Sequence, residues 1–139
     1  MKNKHLLNQC VPELIVLFSK VNVLIAEVEI LPSTIRTFEQ QKAFVAAGTS
    51  KTMNSKHLIT PENPLSRAVD AGFYPHKWPV EGDNDYWKDW ARLYYFGGVV
   101  MATAKGLGIK VRFGGDWNGN FNLKDENFFD GVHFEMKEG

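Results

Sequence analysis

The chain has 139 residues, with 16 basic and 16 acidic side chains and a formal net charge of zero. That balance excludes attachment to nucleic acid or an anionic membrane through a dominant basic surface, leaving only local charged grooves. The length suits one domain, residues 1–139, with a core of its own, and the single cysteine, Cys10, excludes an internal disulfide or a cysteine-based zinc knuckle.

The start, Met1-Lys2-Asn3-Lys4, is basic, but Asn8, Gln9, Pro12 and Glu13 interrupt the apolar residues after it, so no secretory leader and no membrane insertion are expected. Leu6, Leu7, Cys10, Leu14, Leu17 and Phe18 recur at three and four residues and predict a helix over residues 3–20, broken or started late at Pro12. Cys10 reads as a half-buried small hydrophobe in it. Val23, Ile25, Val28 and Ile30 alternate and predict a strand over residues 23–31, ended by Pro32-Ser33. Thr37, with Gln40 three residues on, forms a capping box that opens a helix through Ala43, Phe44 and Ala47 and stops at Gly48. Residues 49–66 are rich in Ser, Thr, Asn and Pro and predict a long loop carrying His57. A short strand is expected over residues 67–71, with Ala68 and Asp70 on one face and Val69 on the other. Residues 72–83 are irregular and hold a further histidine, His76.

Asp83 or Asp85 can cap the longest helix, from Tyr86 to Gly106, whose stripe Trp90, Leu93, Tyr94, Gly97, Met101 and Ala104 faces the core. Gly97 and Gly98 within it each cost about 1 kcal/mol relative to alanine, which implies close packing on a sheet. Ile109, Val111 and Phe113 alternate with Lys110 and Arg112 as a half-buried strand. Gly114-Gly115-Asp116-Trp117 turns the chain, residues 118–126 form a polar loop, and residues 132–136 form the last strand. Helices and strands mix without regular βαβ alternation, so the fold class is α+β.

The chemistry concentrates on a few residues. Asp130-Gly131-Val132-His133 puts a carboxylate three residues before a histidine, and His57 and Asp70 supply a second of each. Two histidines and an aspartate can hold zinc with the fourth position open, as in catalytic sites. Asp130 then remains to act as general base and acid. Glu135 shares the strand face of His133 and can orient a ligand or hold a substrate group. Arg36, just ahead of a helix, is either solvated or aimed at a carboxylate. The step of thirteen from His57 to Asp70 matches no compact zinc motif, and Asp116 with Glu135 is a competing glycosidase pair, so spacing alone leaves the site open.

In order along the chain stand Ile35-Arg36-Thr37 with Gln41, Ala47-Gly48-Thr49-Ser50, Ser55-Lys56-His57, Ala68-Val69-Asp70, Gly114-Gly115-Asp116-Trp117 and Asp130-Gly131-Val132-His133-Phe134-Glu135. This set resembles a zinc peptidase family that comprises D-alanyl-D-alanine carboxypeptidases and L-alanyl-D-glutamate endopeptidases, and it looks most like the phage endolysins among them. The resemblance covers about residues 23–137, and no separate wall-binding domain is expected.

The resemblance implies a small antiparallel sheet with helices mainly on one side and Zn2+ at the sheet, held by His57, Asp70 and His133. It implies Asp130 as catalytic acid and base, and Arg36 as the group that binds a substrate carboxylate or stabilises the oxyanion. Gln41, Ser50, Ser55 and Trp117 would line the substrate beside Arg36. The implied reaction is cleavage of the L-alanyl-D-glutamate bond in the peptidoglycan stem peptide, by a monomer made in a host cytoplasm and acting on the wall after release. Removal of terminal D-alanine by a D,D- or L,D-carboxypeptidase is the alternative within the family, and a non-catalytic, zinc-stabilised wall-binding module the alternative outside it. The family pattern Ser-x-His-x-x-Gly-x-Ala-x-Asp is stretched here by an insertion around residues 59–64, with Ser66 in place of glycine. Pro32-Ser33-Thr34 stands where the family has a glycine before the arginine, and His76 is a spare ligand.

Overall fold

The computed structural model describes residues 1–50, 53, 55–125 and 129–138. Four strands, β1 (Val28–Ile30), β2 (Ala68–Phe73), β3 (Val111–Phe113) and β4 (His133–Met136), form an antiparallel sheet in the order β1-β2-β4-β3. Among the described residues three α-helices accompany it: α1 (Pro12–Leu24), α2 (Phe38–Ala46) and α3 (Tyr86–Leu107). The expected α+β class and antiparallel sheet are what the chain adopts.

Side chains alternate across a strand, and that alternation splits the sheet into two different faces. Val69 and Ala71 of β2 and Phe134 and Met136 of β4 join Leu14, Leu17, Phe18 and Val21 of α1 and Phe96, Val100 and Ala104 of α3 in one core. Phe134 is the hub of that core. Its ring stacks on Phe113 at 5.1 Å and meets Phe18 and Phe96 edge-on at 5.7 and 6.0 Å. Residues of the other parity, Ala68 and Asp70 on β2 and His133 and Glu135 on β4, occupy the opposite face. The register sets Asp70 directly across from His133 and Ala68 across from Glu135. The expected helix packing therefore holds for α1 and α3, while α2 buries only Gln41 among its described residues and stands beside the polar face.

The first helix is displaced from its expected place. Residues 4–9 form a 3-10 turn, Pro12 lies in the first turn of α1, and α1 runs on through Val23 and Leu24, which the alternation assigned to a strand. Leu14, Leu17, Phe18 and Val21 are all fully buried at helical spacing, and this stripe outweighs the weaker β preference of Val21 and Val23. The strand begins only at Val28. Cys10 is fully buried rather than half-buried, because the backbone on either side of it pairs with Ser66 (Ser66 N to Gln9 O 2.8 Å, Val11 N to Ser66 O 2.9 Å). Burial pushes its thiol up to about 12.

Local signals elsewhere produced the expected elements. Thr37 Oγ1 accepts from the Gln40 amide at 3.2 Å and Gln40 Oε1 from the Thr37 amide at 2.9 Å, which completes the capping box. Helix α3 begins after Asp85, but neither aspartate caps it through its side chain; Asp83 Oδ1 accepts instead from the Asp85 amide at 2.9 Å. The two glycines of α3 separate in role. A Cβ on Gly97 would run into the Phe113 ring, as close packing requires, whereas a Cβ on Gly98 would meet nothing within 4 Å. Gly98 instead opens onto an apolar cavity of about 480 Å³ between α3 and the loop after β3, lined by Met101, Ala102, Phe113 and Phe121 among others. Gly97→Ala is therefore expected to destabilise the fold by about 1–3 kcal/mol through overpacking. Gly98→Ala should be neutral or stabilising by up to about 1 kcal/mol, and urea unfolding of the two variants checks the difference in sign.

Candidate active site

The polar face of the sheet carries two of the three expected ligands as a directly opposed pair, Asp70 and His133. The third, His57, is delivered by backbone pairing: Arg36 N donates to His57 O at 3.2 Å, and Ile59 N donates to Arg36 O at 2.9 Å. Ser55 Oγ accepts from the His57 amide at 3.2 Å, which shapes the turn below it. The three side chains are buried and converge. His57 Nε2 lies 3.0 Å from His133 Nδ1 and 3.1 Å from Asp70 Oδ1, and His133 Nδ1 lies 3.2 Å from the same oxygen. Among the described residues, these three form the group able to hold a metal ion.

The outward atoms of the triad fix what faces inward. His57 Nδ1 is 3.0 Å from the Thr34 carbonyl, which only accepts, so that nitrogen carries the proton and Nε2 presents a lone pair. His133 Nε2 is 2.9 Å from Glu135 Oε1, an acceptor when ionised, so Nδ1 presents a lone pair in the neutral ring. Asp70 Oδ2 accepts from Ser33 Oγ at 2.6 Å, leaving Oδ1 to face the histidines. Two nitrogen lone pairs and a carboxylate oxygen thus point at one spot, an arrangement that repels itself unless a cation sits there. Tetrahedral zinc with bonds of about 2.0–2.1 Å needs ligand atoms a little over 3 Å apart, so the donor set fits zinc in identity and spacing.

The electrostatics express the same demand through a proton. Burial works against charge on His133, yet hydrogen bonds to Asp70 and Glu135 raise it to about 9. Burial likewise opposes ionisation of Asp70, but His57 and His133 hold it well below the usual carboxylate range. Glu135 is held low against burial by His133, Arg112 and Lys56, with Arg112 Nη2 at 2.8 Å and Lys56 Nζ at 3.1 Å from Oε2.

Asp130 lies next to this cluster. Its amide donates to Gly114 O at 2.9 Å and its carbonyl accepts from the His133 amide at 3.1 Å. Gly114 is required there, because a Cβ would collide with the Asp130 carbonyl. Burial first, and the charge of Asp70 second, raise the Asp130 carboxyl above its ordinary value. Arg36 Nε donates to Ser33 O at 3.2 Å and Nη1 to Gln41 Oε1 at 3.3 Å, and Nη2 stands 3.7 Å from Asp70 Oδ2. Gln41 Nε2 in turn donates to Ser50 Oγ at 2.8 Å. Trp117 closes the other side, with its ring 5.4 Å from that of His133 and Arg112 stacked over it at 5.6 Å. The structure thus gathers His57, Asp70, His133, Asp130, Arg36, Gln41, Ser50, Trp117 and Glu135, and it places Ser55 under His57.

The stretch expected to be an insertion closes on itself, and His57 stands in the cluster beside it. Thr60 and Asn63 exchange backbone hydrogen bonds (3.0 and 3.1 Å), and residues 61–65 are exposed. Ser66 is fully buried where the family pattern has glycine, with Oγ 2.7 Å from Ala68 O and 3.1 Å from Thr34 O, so it braces the carbonyl that orients His57. His76 is outside the ligand group, contrary to the spare-ligand reading: it follows the end of β2, its amide is bound by Glu29 at 3.0 Å, and its ring packs on Trp78. The glycosidase pair fails as well. Asp116 Oδ2 caps the Phe121 amide at 3.1 Å, and Glu135 is taken up by His133, Arg112 and Lys56. The residue-by-residue reading missed Ser33, Thr34, Lys56 and Arg112. Their partners lie far away in sequence, and only the alternation that exposes Arg112 opposite Glu135 hinted at one of them.

Comparison with known proteins agrees with this geometry. The phage L-alanyl-D-glutamate peptidase family matches residues 1–137, so the match takes in α1 as well as the segment from residue 23 onward. The L-alanyl-D-glutamate peptidase of Escherichia phage T5 is 33% identical over 108 residues, covering 73% of this chain and 70% of that protein. The crystal structure of the Serratia marcescens L-Ala D-Glu endopeptidase ChiX superposes with a TM-score of 0.71 at 21% identity, over 98% of this chain and 86% of the other.

Proposed function

The chain belongs to the phage L-alanyl-D-glutamate peptidase family and is a peptidase, and we propose that it cuts the L-alanyl-D-glutamate bond of the peptidoglycan stem peptide with zinc held by His57, Asp70 and His133. The observation that carries the metal is the convergence of two imidazole lone pairs and one carboxylate oxygen within 3.2 Å, each locked from behind by a separate partner. Those outer partners, Thr34 O, Glu135 and Ser33, fix tautomer and rotamer as partners of zinc ligands characteristically do.

When bound, zinc supplies Lewis-acid activation of the attacking water and of the scissile carbonyl. Asp130, its proton affinity raised by burial and by Asp70, is suited to take the proton of that water and pass it to the departing amine of D-glutamate. Arg36 directs its planar fork at a stem-peptide carboxylate or at the oxygen that gains charge, and Gln41, fixed against Ser50, holds it there. Trp117 forms the wall beside His133. Among the described residues no helix is long and apolar enough to cross a membrane. The enzyme acts on the cell wall after release from the cell. The ground for a non-catalytic module was loss of His57 to the insertion, and His57 remains in the cluster.

The test is a digest of purified peptidoglycan by zinc-loaded and chelated protein, read by mass spectrometry and new amino termini. Zinc-dependent appearance of D-glutamate amines is the expected result. Release of terminal D-alanine alone would turn the reading to a carboxypeptidase, and no cleavage by zinc-loaded protein would sink it.

A further inference from the structure

Ser33 lies in a 3-10 turn, Pro32–Thr34, between β1 and Arg36, and it touches both charged groups that meet at the edge of the site. Its hydroxyl donates to Asp70 Oδ2 at 2.6 Å, and its carbonyl accepts from Arg36 Nε at 3.2 Å. Arg36 Nη2 stands 3.7 Å from that same Oδ2, near enough to attract and too far for a hydrogen bond. The other carboxylate oxygen, Oδ1, faces His57 and His133. We infer that Ser33 is a positioning residue that keeps Asp70 and Arg36 apart, so that Asp70 serves the metal through Oδ1 and Arg36 stays available to the substrate.

The inference rests on the peptidase reading of this site. A carboxylate and a guanidinium this close, partly shielded from water, attract strongly, and a shift of less than about 1 Å would bring them into a charge-assisted hydrogen bond. Such a bond would turn the arginine fork toward Asp70 and away from an incoming carboxylate. It would also pull the Asp70 carboxylate out of the orientation in which a single oxygen meets the histidines. Ser33 opposes both movements. Its short hydrogen bond satisfies Oδ2 with a neutral donor, and its carbonyl tethers the arginine from behind. Gln41 Oε1 adds a second tether at 3.3 Å. The turn itself is anchored, since Thr34 Oγ1 accepts from the Asp70 amide at 3.0 Å and the Thr34 carbonyl binds His57 Nδ1 at 3.0 Å. A single three-residue turn thus contacts Asp70, His57 and Arg36.

Two substitutions test this, Ser33→Ala, which deletes the hydroxyl, and Ser33→Thr, which keeps it. Zinc affinity of the metal-free proteins is measured by competition with a chromophoric chelator, and kcat and KM for a stem-peptide substrate are measured at saturating zinc. Ser33→Ala is expected to bind zinc about 10–100-fold more weakly and, once saturated, to show a KM raised about tenfold with kcat changed much less. Ser33→Thr should return both to near the parent values. A hydroxyl that merely stabilised the turn would lower the melting temperature and leave KM at saturating zinc untouched. The inference is overturned if Ser33→Ala keeps the parental zinc affinity and KM, or if Ser33→Thr is as impaired as Ser33→Ala. A parent protein that neither binds zinc nor cuts the peptide would remove the peptidase reading, and this inference with it.

Discussion

Replacing Asp130 with asparagine is expected to slow peptide hydrolysis about 10²–10⁴-fold while zinc content stays at the parental level. Asparagine is nearly isosteric, and the segment is held mainly by its backbone: the Asp130 amide on Gly114 O and the Asp130 carbonyl under the His133 amide. The neighbouring strand, and so His133, should therefore stay where they are. What the substitution removes is the ability to accept a proton from water and return it to the leaving amine. The position is well chosen for that exchange, because burial and the nearby charge of Asp70 raise the carboxyl's affinity for a proton above that of an exposed aspartate. Steady-state rates on a stem peptide, with zinc content by elemental analysis and a thermal melt on the same samples, decide the matter. Activity within a factor of about ten of the parent would remove Asp130 from the proton-transfer role.

Much of this arrangement was legible because it was local. The capping box at Thr37 and Gln40, the extent of α3 and the alternation of Val111 and Phe113 are signals spanning a few residues, and each produced the expected element. The alternation of β4 was enough to set His133 and Glu135 on one face, although only the antiparallel register could put Asp70 across from His133. The boundary between α1 and β1 was misplaced because Val23 and Ile25 satisfy a strand pattern and a helix end equally well; burial of Val21 under the sheet decides it, and burial is not a local property. The same limit hid the supports of the site. Ser33 reaches Asp70 across 37 positions and Lys56 reaches the end of β4 across 80, so their own neighbourhoods carry no sign of these contacts. Ser66 stands where a glycine was expected, and its hydroxyl fills a place among three carbonyls that only the folded chain creates.

Removing zinc is expected to abolish hydrolysis and to destabilise the fold far more at pH 9.5 than at pH 6. The sign is set by His133. In the metal-free fold Asp70 and Glu135 overcome burial and raise it from 6.5 to about 9. A group whose folded pKa lies above its unfolded value contributes stability below the unfolded pKa and loses it as pH rises through the folded one. Each unit is worth about 1.4 kcal/mol, so the metal-free protein should lose on the order of 3 kcal/mol between pH 6 and pH 9.5. The proton then leaves two imidazole lone pairs and the Asp70 carboxylate facing one another with nothing between them. Zinc bound there would take the place of that proton, so the loaded protein should escape the loss, and zinc affinity should rise over the same interval as proton competition fades. The gap in melting temperature between zinc-loaded and EDTA-treated protein should therefore widen with pH. His133→Ala, which removes both the proton site and a ligand, should show little gap at either pH. A gap that stays constant or narrows toward pH 9.5 in the parent would mean that the convergence of His57, Asp70 and His133 is not built around a cation.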